Sequence, residues 1–237
     1  MNREHHKWYS QSLGRDMELL VYGHAGTPVL VFPTSQGRFF EYEDRGMTHA
    51  LGDKLENGAL QLFSVDSVDS ESWYNRGVHP IVRVARHGQY EQYLLQEILP
   101  FIAQKNPDRN LVTTGCSFGG YHAMNFALRH PDLVKKSVVM GAAYDMQQFL
   151  DGYYDTDLYL LTAPHFLPNL TDPWFLDRIV RNKWVFATGE RDMCRAENER
   201  IASIFAAKQI PHSLHVWGDG AGHDWPEWRR MASAYLP

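Results

Sequence analysis

The chain has 237 residues and a formal net charge of −5 at pH 7, with 44% of its residues hydrophobic and 22% charged. That length suits one α/β domain with a sizeable core, and the composition is that of a globular protein. No basic tract is present, which argues against nucleic acid as a partner. No apolar run reaches the roughly 18 residues that a membrane span needs. Residues 1–9 are polar and charged, without the apolar stretch of a secretory signal, and His5-His6 read as part of a polar tail. The two cysteines, Cys116 and Cys194, are too few for a disulfide framework, so a reducing cytoplasm is the expected compartment. A homo-oligomer remains open on this composition.

In chain order, residues 6–13 and 17–22 read as strands joined by a hairpin turn at Gly14-Arg15-Asp16. A short Val-rich run over 28–32 suits a strand buried on both faces. The loop Pro33-Thr34-Ser35-Gln36-Gly37 follows, and a helix is predicted over 41–51. Another strand covers 60–65. A long helix is expected over 78–105, because Tyr90, Leu94, Leu95, Ile98, Phe101 and Ile102 recur at helical spacing and Pro107 lies just past its end. Strands at 110–114, 137–140, 183–187 and 213–217 complete the set, with helices at about 121–130, 196–208 and from Trp225 onward. Strands alternating with helices imply a mostly parallel sheet with helices on both faces and an antiparallel hairpin at the start. Residues 144–181 break the rhythm. They are rich in Pro, Asp and aromatics, and read as a cap-like insertion in an otherwise single domain.

Residues 115–120 read Gly115-Cys116-Ser117-Phe118-Gly119-Gly120, between a strand-like and a helix-like segment. This is G-x-S-x-G in the context where it has a mechanical meaning. A serine nucleophile must stand at the tip of a sharp strand-to-helix turn, where side chains two residues away on either side would collide. An ordinary glycine-rich turn carries the same letters, so partners are needed. A serine hydroxyl is a poor nucleophile until a base takes its proton, and histidine is the natural base at neutral pH. An acid must then orient the imidazole. After the strand at 183–187 comes Thr188-Gly189-Glu190-Arg191-Asp192, and after the strand at 213–217 comes Gly218-Asp219-Gly220-Ala221-Gly222-His223-Asp224. Ser117, Asp192 and His223 therefore form the candidate catalytic set, in the order acid-then-histidine expected of this turn. Glu190, Asp219 and Asp224 are rivals for the acid. The last two read better as a turn residue and a helix N-cap.

An acyl-transfer intermediate carries an oxyanion that needs N–H donors. The N–H of Phe118, right after the serine, is one candidate. The loop after the strand at 28–32 supplies the other, with Ser35 first and Gln36 second. His212 and His215 are three apart in a strand and face opposite ways, which argues against a shared metal. Cys116 and Cys194 read as packed residues. No Gly-rich nucleotide loop is present, so no cofactor is implied.

These motifs resemble the esterase family of α/β-hydrolases, the group of S-formylglutathione hydrolases, feruloyl esterases and mycolyltransferases. The carriers are the Gly115 to Gly120 turn, the Gly189-Glu190-Arg191-Asp192 loop, and His223-Asp224-Trp225-Pro226-Glu227-Trp228. The segments Ser72-Trp73-Tyr74 and Tyr153-Tyr154 to Leu170 also look like family landmarks. The resemblance implies an α/β-hydrolase fold with Ser117 as nucleophile, Asp192 as acid and His223 as base. It places Gln36, Trp73, Tyr154 and Trp225 at the substrate. Many relatives carry His-Gly after the oxyanion strand, where this chain has Pro33-Thr34. The expected activity is hydrolysis of a small-molecule ester through an acyl-enzyme. An acyltransferase using the same residues and a non-catalytic binding protein on this fold are the alternatives, the first separable by product analysis with an added alcohol.

Overall fold

The structure, a computed structural model, describes all 237 residues. Eight strands form one sheet: β1 (Arg3–Ser10), β2 (Arg15–Tyr22), β3 (Thr27–Phe32), β4 (Leu60–Val65), β5 (Leu111–Cys116), β6 (Val134–Met140), β7 (Lys183–Gly189) and β8 (Ser213–Trp217). Their order is β1-β2-β4-β3-β5-β6-β7-β8. The first three strands in this order pair antiparallel, and every later pair is parallel. This is the expected α/β-hydrolase architecture with its N-terminal antiparallel hairpin.

Alternation along the central strands sets the two faces. Leu30 and Phe32 of β3 join a core cluster on one side, while Val29 and Val31 join a second cluster on the other. A strand buried on both faces has no polar positions to give away, which is why β3, β4 and β5 read as near-continuous apolar or small residues. The helix α6 (Phe118–Arg129) packs on β5 and β6 on the first face. The C-terminal helix α11 (Trp225–Tyr235) covers the second, putting Trp228 and Met231 into its core.

Several expected elements differ in detail. The helix expected over 41–51 is three short pieces, α1 (Glu41–Asp44), α2 (Met47–Ala50) and α3 (Gly52–Glu56), because Gly46 takes a left-handed φ of 70° and ends the first. The first strand starts earlier than expected. His5 and His6 belong to β1, where they meet Glu18 at 2.9 Å and Glu4 at 2.8 Å, so they are not a tail. The long helix is α4 (Pro80–Tyr93), a π-helical turn over Leu94–Ile98, and α5 (Leu99–Lys105). Pro100 has no N–H to give to the preceding turn, and a widened turn beside it absorbs the defect.

Residues 144–181 are helical in short steps: a 3₁₀ turn at Met146–Phe149, α7 (Thr156–Leu160), α8 (Ala163–Phe166) and α9 (Pro173–Arg181). Asp145, Asp155 and Asp172 cap three of these by accepting backbone N–H groups. That explains the Asp- and Pro-rich composition. The remaining long helix, α10 (Arg195–Ala207), packs on β7 and β8.

Candidate active site

The site lies beyond the carboxyl ends of the parallel strands, where open α/β sheets place their ligands. Ser117 follows β5 directly and starts α6 with φ 54° and ψ −122°. This backbone is unfavourable for a residue with a Cβ, by roughly 1–3 kcal/mol, and persists only where the surroundings impose it. The glycines make it sterically feasible. A Cβ on Gly115 would stand 2.2 Å from the carbonyl of Gly119, and one on Gly119 would stand 2.4 Å from the carbonyl oxygen of Phe32. The same closeness presses the start of α6 against the end of β3 and the loop that follows it.

Asp192 follows β7 and His223 follows β8, so the histidine must reach back across two strands. It does so at the end of β6, where Gly141 offers no side chain. A Cβ there would lie 2.4 Å from Asp192 Oδ2, 3.1 Å from His223 Nδ1 and 3.2 Å from Trp228 Nε1. The three expected residues meet in one chain of hydrogen bonds. His223 Nδ1 is 2.7 Å from Asp192 Oδ1, and His223 Nε2 is 2.9 Å from Ser117 Oγ. With an ionised Asp192 accepting, the proton sits on Nδ1 and leaves Nε2 to accept from the serine hydroxyl. Asp192 Oδ1 also accepts the N–H of Cys194 at 2.7 Å, and its side chain is fully buried. The indole ring of Trp228 stands edge-on to the His223 ring, with centroids 4.8 Å apart, and limits how that ring can turn.

The rival acids have other partners. Glu190 accepts the N–H of Gly220 at 2.6 Å, and Asp224 caps α11 by accepting the N–H of Trp225 at 2.7 Å. Asp219 sits in a turn with φ 58°. Asp192, Cys194 and His223 bring potential metal-ligand atoms within 4.8 Å of one another. His223 already uses both ring nitrogens on Ser117 and Asp192, so a metal could enter only by dismantling that chain. Burial, then the nearby Asp192 and Glu197, push the Cys194 thiol up to about 12, which keeps it protonated and weakly nucleophilic.

On the other flank of Ser117 lies the loop after β3. Gln36 has φ 55°, and its N–H donates to Asp69 Oδ2 at 3.1 Å. The N–H groups of Ser35 and Phe118 have no acceptor within the protein. This removes Gln36 as the alternative amide donor and leaves Ser35. The Ser35 hydroxyl accepts from Tyr74 at 2.8 Å. The Tyr74 ring meets Phe118 at 5.5 Å and Phe149 at 5.2 Å, forming an aromatic wall beside the serine.

The expected substrate residues fare unequally. Gln36 and Tyr154 are exposed, and the Tyr154 hydroxyl meets His165 Nδ1 at 3.0 Å. Trp73 is fully buried, with its indole N–H directed to His87 Nδ1 at 3.2 Å, so it offers no surface to a ligand. Trp225 is 8% exposed and packs edge-on against Tyr42 and Trp228 in the second core. Tyr74, next to Trp73, is the residue of that segment that meets the loop after β3, and Asp69 and His122 carried no motif at all.

Over residues 10–234 the chain matches the family described as Putative esterase. The chain belongs to this esterase family. It is an esterase. None of the curated proteins matches it in sequence. Solved structures resemble it in fold. A ferulic acid esterase superposes with a TM-score of 0.80 at 15% identity, over 100% of this chain and 96% of the other. An S-formylglutathione hydrolase from Agrobacterium tumefaciens gives 0.75 at 14% identity, over 99% and 92%. A fluorophosphonate-binding serine hydrolase F from Staphylococcus aureus gives 0.72 at 17% identity, over 98% and 96%. No helix of this esterase is long and apolar enough to cross a membrane.

Proposed function

We propose that this esterase cleaves a small carboxylic ester through Ser117, His223 and Asp192, by way of an acyl-enzyme. The observation that carries the reading is the unbroken chain from Ser117 Oγ through His223 to Asp192, at 2.9 and 2.7 Å, with the serine held at a left-handed φ. His223 Nε2 takes the hydroxyl proton as Oγ attacks the ester carbonyl. The negative charge that develops on the carbonyl oxygen is met by the N–H groups of Phe118 and Ser35. Collapse of this intermediate expels the alcohol, which leaves with the proton held on Nε2. Water, deprotonated in turn by Nε2, then attacks the acyl-Ser117 carbonyl, and its collapse restores the serine hydroxyl. Asp192 stays ionised throughout and stabilises the imidazolium.

Tyr74 and Phe149, backed by the buried Phe118, form an aromatic surface that suits a flat or apolar group on the substrate. Phe149 belongs to the 144–181 segment, and on this reading the start of that segment caps the site. Tyr144 and Phe166 of the same segment pack into the core. Turnover of a nitrophenyl ester tests the reading. Ser117→Ala should lower kcat on the order of 10⁴-fold or more with the fold intact. Turnover within tenfold of the parent enzyme would remove Ser117 from the mechanism.

A further inference from the structure

Beneath the loop after β3 lies a second hydrogen-bonded acid–histidine pair that the proposed mechanism does not use. Asp69 sits in the loop after β4, and its side chain is 1% exposed. Its Oδ1 lies 2.9 Å from Nε2 of His122, whose side chain is 2% exposed. Its Oδ2 accepts the N–H of Gln36 at 3.1 Å. His122 is on α6, about one turn beyond Ser117. One carboxylate thus ties the oxyanion loop to the helix that carries the serine.

The surroundings hold this pair rigidly. The His122 ring stacks on His87 with centroids 5.4 Å apart. His87 is buried, and it accepts the indole N–H of Trp73 at 3.2 Å. Next to both rings is a small cavity of about 10 Å³, also lined by Asn125 and Glu91. Asn125 Oδ1 is buried and has no partner in the protein. A void of that size admits about one water, and the unpartnered amide oxygen gives such a water a reason to stay.

We propose that Asp69, supported by His122, is a positioning residue for the oxyanion hole: it decides which amide of the Ser35–Gln36 pair faces the reacting carbonyl. Of the two successive N–H groups, that of Gln36 is taken by Asp69 and that of Ser35 has no acceptor in the protein. By accepting from Gln36, whose left-handed φ is strained if left unsupported, Asp69 fixes the turn and leaves the Ser35 N–H unpaired for the oxyanion. Released from Asp69, the turn can relax and the Ser35 donor loses its aim. An oxyanion donor acts chiefly on the transition state, so its misplacement should appear in kcat rather than in KM. This rests on the reading of Ser117 as nucleophile.

Asp69→Ala, measured beside Ser117→Ala, tests it. A single oxyanion donor is worth about 10²–10³-fold in kcat, and a loosened one should cost about 10–100-fold. The expected result is that loss in kcat, a KM within about threefold, and a Ki for a trifluoromethyl ketone raised by the same factor as kcat falls. Asp69→Asn should recover most of the loss, since its amide oxygen can still accept from Gln36 while its NH₂ meets an unprotonated His122 Nε2. If Asp69→Ala does not fold, His122→Phe keeps the ring and removes the bond to Asp69, and should give the same kcat-and-Ki pattern at smaller amplitude. A variant with a lowered Tm but unchanged kcat and Ki would overturn the inference. If Ser117→Ala itself retains turnover, the nucleophile reading has failed instead.

Discussion

The two flanks of Ser117 are built on different principles. On one, in the mechanism we propose, Asp192 and His223 act through side chains, and both are needed as those residue types, because an imidazole held by a carboxylate handles the proton at neutral pH. On the other, Ser35 offers a free backbone amide while that of Gln36 is tied to Asp69, and any residue could supply them. The first flank is written in residue identity and the second in geometry. The cost of geometry is a hidden support: Asp69 is 53 residues from His122 and 33 from Gln36 in sequence, and it joins them only in the folded chain.

Perturbing the side-chain flank should give the largest effect. Asp192→Asn leaves the shape but removes the charge that sets the His223 tautomer, and kcat should fall on the order of 10⁴-fold. Steady-state kinetics on a nitrophenyl ester measures it, and a loss below tenfold would mean another acid orients His223. Gly141→Ala is subtler, since the new methyl would crowd Asp192 Oδ2 at 2.4 Å and His223 Nδ1 at 3.1 Å. A misplacement of about 1 Å can cost about 10²-fold, so kcat should drop by about that factor while the left-handed φ adds a modest loss of Tm. On the geometric flank, Tyr74→Phe removes the hydroxyl that donates to Ser35 Oγ but leaves the backbone donor in place. A change of only a few fold is expected there, in line with one neutral hydrogen bond worth about 1 kcal/mol. A loss as large as that of Gly141→Ala would show that the two flanks are equally intolerant and sink the contrast.

The smallest effect concerns stability below neutral pH. Burial, and secondarily His122, push His87 down to about 3 from the ordinary 6.5, so the folded protein holds it neutral. Between those values the unfolded chain binds a proton that the native one refuses, and stability falls as pH drops through that window. Burial pushes Glu91 up, but hydrogen bonds from His130 and Arg129 outweigh it and hold the carboxyl at about 2, below the ordinary 4.5. Its contribution is present above 4.5 and is lost as pH falls toward 2. Tm should therefore decline steadily below pH 6.5, and His87→Gln should flatten the slope between about 6.5 and 4.5. An identical slope in that variant would assign the acid sensitivity elsewhere.

Much of the fold could be read from the chain because buried strands announce themselves. β4 begins and ends where its apolar run does, and the loops after β5, β7 and β8 hold the residues expected of them. Two other kinds of feature escaped. The breaks that cut 41–56 and 144–181 into short helices are set by Gly46 and by the Asp caps, which apolar periodicity does not mark. Orientation inside an irregular loop has no period either, which is why Trp73 rather than Tyr74 was expected to face the substrate. Asp69 and His122 could not be paired in advance, since a lone Asp and a lone His have ordinary structural uses at any distance.

The central claim is that Ser117 carries the acyl group. Labelling the protein with a fluorophosphonate, digesting it and mapping the adduct by mass spectrometry addresses this directly. The account predicts stoichiometric modification on the peptide containing Ser117, lost in Ser117→Ala. An adduct on another residue, or labelling that survives in Ser117→Ala, would contradict it.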